Sequence, residues 1–249
     1  MPRPLCALLS LLVAASGCGA DGNPAPSGPS WPGENWLANP GFEQERSAWS
    51  YREQSPHWGD FRVVESPVHT GVRAVHLRLQ HGSTLPRRPV KVYGVVQELA
   101  FNHLPDLLGG YYRVDRWERS ASATDLYLQV VVIAWPAASA GAAPENRQLR
   151  YYLAGLEQPP FLLSNAHIAF VSKGPPVLNR WQRFEIPLRA DFERLWGGAG
   201  EGYDKIEVLF EARWDNMPAR SSVAADVYYD DLFVGNAAPA SGVSRAPRE

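Results

Sequence analysis

The side chains in this sequence that can do chemistry are carboxylates and aromatic rings, and their spacing decides which chemistry is open to them. Two acid pairs could face each other across a cleft, Glu98 with Asp106 and Glu211 with Asp215. A glycosidase needs such a pair, one acid to protonate the leaving oxygen and one to act on the other side of the sugar ring. These acids are scattered over segments that read as strands, where a pair is more often a solvated or salt-bridged face. The six His are dispersed, with no pair at zinc-ligand spacing. Gly-x-Ser-x-Gly, His-Glu-x-x-His and a phosphate-binding loop do not occur. No catalytic constellation is visible, and the chain is read as a non-enzyme.

Aromatic rings offer a different chemistry, because a sugar lays its C–H face on a ring while planar polar side chains take its hydroxyls. The candidates are Trp58, Tyr111, Trp117, Tyr127, Trp135, Tyr151, Tyr152, Trp196 and Trp214. Most rings of a β-sandwich build its core. Trp117 lies in Asp115-Arg116-Trp117-Glu118-Arg119 and Trp214 in Arg213-Trp214-Asp215-Asn216, both among charges. These two are the expected exposed, ligand-binding rings; the bland alternative for each is a cation–π packing pair.

The elements that must position these residues read as strands. Residues 74–79 alternate, with Val75, Leu77 and Leu79 on one face and His76 and Arg78 on the other. Further strands are expected at residues 61–64, 92–99, 111–117, 148–153, 168–171, 181–187, 205–214 and 226–234. Residues 126–135 form the most hydrophobic run and predict a central strand covered on both faces. Single helical turns are expected at 101–108 and 191–196. The loop over 136–147, rich in Ala, Gly and Ser, reads as a mobile tip, and that over 153–165 is long for a hairpin connection, as binding loops or caps often are. With 249 residues, 45% of them hydrophobic, and nine Trp, the chain can fill one all-β core. Its formal charge of −2, from 24 basic and 26 acidic residues, gives no case for nucleic acid.

Both ends read as non-globular. Arg3 precedes an apolar run at 5–15 that is too short to span a bilayer, and small residues at 15–17 lead to Cys18. This resembles a bacterial lipoprotein signal, residues 1–17, with Cys18 as the lipidated residue, although Ala15 stands where Leu or Val is usual. An ordinary secretory signal cut near Gly17 or Ala20 is the alternative. The only other cysteine is Cys6, so without lipid Cys18 would be an unpaired thiol in an exported protein. The resemblance implies an exported protein of the cell envelope, held to a bacterial membrane through its N-terminal lipid. Residues 18–34, rich in Pro, Gly and Ser, read as a tether, residues 35–235 as the folded domain, and residues 236–249 as a disordered tail.

Four short motifs come in a telling order: Asn39-Pro40-Gly41-Phe42-Glu43 followed by Trp49; Ser66-Pro67-Val68-His69-Thr70-Gly71 before an alternating strand; Trp181 to Ile186; and Tyr228-Tyr229-Asp230-Asp231-Leu232. Together they resemble bacterial carbohydrate-binding modules of the galactose-binding-like jelly-roll type, over residues 35–235. The resemblance implies one β-sandwich whose first strand holds 35–43 and whose last holds 227–235, with Trp36, Trp49 and Trp181 in the core. It also implies a structural calcium ion (Ca2+) held by Glu43 and Asp230, with carbonyls near Thr70 and Gly71 as further ligands. Parity then sets Asp230 inward with Tyr228, Leu232 and Val234, and Asp231 outward. The plain alternative is that Glu43 and Asp230 are solvated acids at strand ends. Residues 100–180 match the modules only as generic strands, and no sugar-binding aromatic carries over. The function implied is non-catalytic binding of a polysaccharide or other glycan. A surface structural or protein-interaction domain that kept the fold without a sugar site is the reading from another class.

Overall fold

The structure, a computed structural model, describes residues 31–83, 88–137, 145–198 and 200–237. The signal, Cys18, most of the tether and nearly all of the tail lie outside the described residues.

Wherever apolar residues alternate, a strand forms and the apolar set turns inward. In β3 (Ala74–Ser83), Val75, Leu77 and Leu79 are fully buried while Arg78 and Gln80 are exposed. Before it come the short β1 (Trp58–Gly59) and β2 (Arg62–Val64). After it come β4 (Arg88–Ala100), β5 (Leu107–Arg119), β6 (Leu126–Pro136), β7 (Arg147–Ala154), β8 (Ala166–Phe170) and β9 (Gln182–Ile186). The helix α1 (Leu188–Trp196) precedes the long β10 (Tyr203–Met217) and β11 (Ser221–Gly235). Leu188 and Phe192, four apart on one helix face, are its buried residues, and Gly197 at φ 73° closes its C-terminus.

The strands form two sheets, ordered β1-β4-β10-β6-β7-β8 and β2-β3-β11-β5-β9. Pairing is antiparallel except between β1 and β4 and between β7 and β8. The chain is therefore all-β, a single β-sandwich of jelly-roll type. The core lies between the sheets: Leu77, Val114, Val227 and Tyr229 face Val130, Phe210 and Trp214 in one apolar cluster. Each such side chain contributes roughly 1.5–3 kcal/mol by leaving water. The expected central strand is β6, between β10 and β7, with its first nine residues all buried.

Three expectations are corrected. Residues 35–43 are not a strand: Asn39 and Phe42 have positive φ, Pro40 lacks an N–H, and the segment makes a single β-bridge, from Asn35 to Gly235, with scattered hydrogen bonds such as Leu232 N–H to the Pro40 carbonyl besides. Residues 101–108 contain no helical turn, and β5 begins at Leu107. Trp214 is not exposed but 0% accessible. Its charged neighbours Arg213 and Asp215 lie on the opposite face of β10, because successive side chains of a strand alternate. A ring in that position cannot offer a face to a ligand. Trp31, at the end of the tether, stacks on Phe233 with centroids 5.2 Å apart, and its indole N–H donates to the Asp231 carbonyl.

Trp214→Ala should therefore lower unfolding free energy by about 3–5 kcal/mol, the usual range for emptying a buried aromatic site. Equilibrium denaturation followed by circular dichroism checks this. A cost below 1 kcal/mol would contradict the buried placement.

Candidate functional site

Two places gather polar side chains. The first joins the beginning of the domain to its last strand. β11 slips register against β5 between Asp230 and Phe233, and Asp231 takes φ 47°. That bulge breaks the expected parity. Tyr229 is in the core, Tyr228 stacks on His76 at the outer face, and Leu232 and Val234 return to the core. Asp230 is fully buried. Its Oδ2 accepts the backbone N–H of His69 (2.8 Å) and Thr70 (3.3 Å), and its Oδ1 accepts that of Asp231 (2.7 Å). Asp231, expected outward, instead accepts from the Thr70 hydroxyl and pairs with His69 Nδ1 at 2.6 Å.

Glu43 grips the same turn from the other side. Its Oε1 accepts the N–H of Val72 (2.9 Å) and Arg73 (3.2 Å). Gly71, at φ 66°, is needed there, since a Cβ would collide with Glu43 Oε1. The three acids converge on Gly41: a Cβ at that position would lie 3.5 Å from Asp230 Oδ1, 3.8 Å from Glu43 Cγ and 3.9 Å from Asp231 Oδ1. Burial, and then repulsion from Asp231, push the Asp230 carboxyl up to about 7 against the pull of its three N–H donors. Among the described residues no group of three His, Cys, Asp or Glu side chains is arranged to hold a metal ion.

The second place is the outer face of the six-stranded sheet, turned away from the core. Register sets one row across it: Gly94 beside Glu211, Glu211 beside Gln129, Gln129 beside Tyr152 and Tyr152 beside Phe170. The adjoining row runs from Leu209 through Val131 and Arg150 to Ile168. Gly94 lets the chains approach here, since a Cβ would meet Trp58 at 3.0 Å and Glu211 at 3.1 Å.

The face is polar yet buried: Gln129 is 0% exposed, Glu211 2% and Asp215 3%. Arg213 forks onto Asp215 with bonds of 3.0 and 3.1 Å and lies 3.9 Å from Glu211. Asp215 also accepts from the Tyr127 hydroxyl, and Glu211 accepts from Gln129 Nε2 at 2.5 Å. Burial alone would lower the Arg213 pKa; Tyr127, Glu211 and Asp215 around it outweigh that and raise it. Burial lifts Tyr127 well above its ordinary value and Tyr152 to about 12, so both hydroxyls keep their protons. Phe161, from the loop after β7, caps the face with its ring 5.5 Å from the guanidinium carbons of both Arg150 and Arg213.

Several polar atoms of this face have no partner. Gln129 Oε1, Trp135 Nε1, Arg150 Nη1 and the Tyr152 hydroxyl are four of the seven such buried atoms among the described residues. Buried polar groups are nearly always hydrogen-bonded, to protein, water or ligand, so four orphans on one face make it the candidate binding site. The acid pair Glu211 and Asp215 does sit here, but Arg213 lies between them and their oxygens are engaged by Gln129, Tyr127 and Arg213.

An open groove of about 1050 Å³ lies over the five-stranded sheet, lined by Arg62, His76, Arg78, Arg116 and Glu118 among others. His76 pairs with Asp226 and Arg116 with Glu118, and none of the orphaned atoms belongs to its lining. It reads as a solvated charged face. Trp117 is half-buried against the core at the end of β5, its ring against Gly155, and belongs to neither cluster. Sequence reasoning did not pick out Gln129, Arg150, Arg213 or Phe161. A lone Gln inside the apolar run of β6 and the alternating Glu211, Arg213 and Asp215 were the available signals.

No family model and no curated protein matches the sequence. Among solved structures, the chain is similar to a family 61 carbohydrate-binding module in complex with β-1,4-galactotriose, at 14% identity over 81% of this chain and 98% of that one, TM-score 0.40. It is similar to a family 28 carbohydrate-binding module specific for non-crystalline cellulose, at 13% identity over 82% and 96%, TM-score 0.40. It is also similar to the catalytic domain of Humicola grisea Cel12A with a thio-cellotetraose, at 13% identity over 70% and 85%, TM-score 0.39.

Asp230 makes stability depend on pH. Its folded pKa of about 7 lies above the ordinary 3.8, so between these values the folded state holds a proton that the unfolded chain has lost. Stability should then fall as pH rises through this window, by at most about 1.4 kcal/mol per unit, and level off above it. In a chelating buffer Asp230→Asn should flatten that slope, as read from denaturation between pH 5 and pH 8 on the order of one-unit steps. An unchanged slope in the variant would remove Asp230 as its cause.

Proposed function

We propose that this protein binds a glycan, without catalysis, on the outer face of the six-stranded sheet. The observation that carries the reading is the set of buried, unpartnered polar atoms of Gln129, Arg150, Trp135 and Tyr152 beside the rings of Phe161, Phe170 and Trp58. Planar amide, guanidinium and phenol groups next to aromatic rings are what a sugar's hydroxyls and C–H faces require. The arrangement of Glu211 and Asp215 supports binding over hydrolysis, since each is already engaged with its neighbours. Trp117 and Trp214 are not part of the proposed site.

The test removes one atom. Tyr152→Phe deletes an unpartnered hydroxyl, so the free protein should keep its stability, because no hydrogen bond is lost. Binding should weaken by about tenfold, the equivalent of one hydrogen bond of about 1.4 kcal/mol. A glycan array and affinity electrophoresis with the full chain measure this. Failure of the wild type to retain any glycan would overturn the reading.

Export and anchoring through a lipidated Cys18 are part of the same proposal. The short apolar run ending in small residues before Cys18 supports them. Cys18→Ser should move the protein from a detergent-requiring fraction to a soluble one, and a wild type soluble without detergent would contradict the anchor.

A calcium ion held by Glu43 and Asp230 completes the proposal. The donors are all oxygen, and Asp230, raised first by burial and then by its neighbour Asp231, is an acid that a nearby cation would favour in its ionised form. Bound calcium would hold both carboxylates ionised and tie the domain's first segment to its last strand. Two or three carboxylates are short of the six to eight ligands calcium takes, so backbone carbonyls would complete the shell. Calcium at a hundredfold excess over its Kd should add about 2.7 kcal/mol and abolish the pH slope assigned to Asp230. No change in either would defeat the calcium reading alone.

A further inference from the structure

The outer face of the six-stranded sheet is divided electrically. On β10 the acids Glu211 and Asp215 share Arg213, so that half already holds its own counter-ion. On β7 and just beyond β8 stand two cations, Arg150 and Lys173, that share no such counter-ion; the acid of this end is Glu157, which lies against Gly174. Arg150 gives Nε and Nη2 to the Gln148 side-chain oxygen, and its Nη1 has no acceptor. No carboxylate among the described residues forms a salt bridge with Arg150 or with Lys173, whose ammonium lies 5.1 Å from the Phe170 ring.

Tyr152 stands two residues beyond Arg150 on the same face, about 7 Å along the strand. Its ring is fully buried, and its hydroxyl is a donor with nothing to donate to. A guanidinium N–H and a phenol O–H on one face, neither with an acceptor, can both take one from outside. The strongest acceptor that fits two such donors is a carboxylate, because charge-assisted bonds to it are shorter and about twice as strong as neutral ones. Gln129 Oε1, next in the row toward Glu211, is an acceptor without a donor, which a sugar hydroxyl supplies.

We infer that the glycan bound on this face carries a carboxylate, as a uronic acid does. Its acid group meets Arg150 and Tyr152 at the β7–β8 end, and a ring hydroxyl donates to Gln129. This rests on the glycan reading above and names the class of sugar. The carboxylate reaches Arg150 where Phe161 now covers it. The loop carrying Phe161 is tied at its base, where Gly155 and Gly174 donate to the carbonyls of Gly174 and Leu156. Toward its tip the loop exposes Leu162 by 84%, and Phe161 itself is only half-buried. A neutral sugar would leave the Arg150 N–H groups facing a hydroxyl and would gain less.

The test uses the full chain in detergent, with polygalacturonate, alginate and hyaluronan as acidic probes and β-1,4-galactan and a soluble cellulose derivative as neutral ones. Affinity electrophoresis should show retention by at least one acidic polymer, lost at least tenfold when its carboxyls are methyl-esterified. Arg150→Gln should lower acidic binding at least tenfold, and Arg150→Lys, which keeps the charge, should lower it less. Thermal melting of each variant reports whether it folds; if Arg150→Gln does not, the esterified polymers and Arg150→Lys carry the comparison. Equal binding of acidic and esterified chains, or acidic binding indifferent to Arg150→Gln in a folded variant, overturns the inference. Retention of neutral polymers alone overturns it and leaves glycan binding standing, whereas retention of none overturns both.

Discussion

The two central strands of the six-stranded sheet bury most of both their faces. β6 and β10 are covered on one face by the other sheet and on the other by Trp58, Phe161 and the segments that carry them. A strand so covered buries polar residues along with apolar ones, so each buried polar group has to find a partner within reach or go without. Arg213, Asp215, Tyr127, Glu211 and Gln129 are the response to that constraint: one guanidinium shared by two carboxylates, a phenol on one acid and an amide on the other. Removing a single member would leave a desolvated charge, which costs far more than the pair contributes. The arrangement is rigid for that reason, and rigidity is what lets the leftover atoms of Gln129, Arg150 and Tyr152 hold a fixed geometry.

The join between the beginning and end of the domain follows another logic. Among the described residues Asp230 and Glu43 form no salt bridge; they hold backbone N–H groups of the turn at 69–73 between them. A carboxylate can accept several such bonds and so replaces a strand where none can form, because Pro40 and the positive φ angles at Asn39 and Phe42 keep residues 35–43 out of the ladder. The bulge at Asp231 is part of the same device. It brings a second acid to His69 and Thr70 and raises the charge that the site has to tolerate.

Much of the fold was legible because hydrophobic alternation is local. The strands from β3 to β11 lie within a few residues of where the pattern puts them, and the continuous apolar run of β6 announced a strand with two buried faces. What failed was the reading of neighbours as surroundings. Trp214 sits between Arg213 and Asp215 in sequence but across the sheet from them in space, so a charged context implied exposure where alternation implies the reverse. Asp231 was set outward by the same counting, and one extra residue in a bulge undid it. Gln129, Arg150 and Phe161 come from three separate segments, and only the register of β6 with β7 and the course of the loop after β7 bring them together. No pattern within any one segment contains that information.

The bridge from Asn35 to Gly235 has a consequence for architecture. The chain enters and leaves the sandwich side by side, with the Asn35 amide donating to the Leu232 carbonyl and the Trp36 N–H to that of Val234. Entry and exit so close together mean that a short linker could close the domain into a ring, at little cost in loop entropy. New ends could then be opened at a distant loop tip, giving a circular permutant of the same sandwich. The same closeness would let the whole unit be spliced into a surface loop of a host protein, displacing the two stems by no more than the width of a β-ladder.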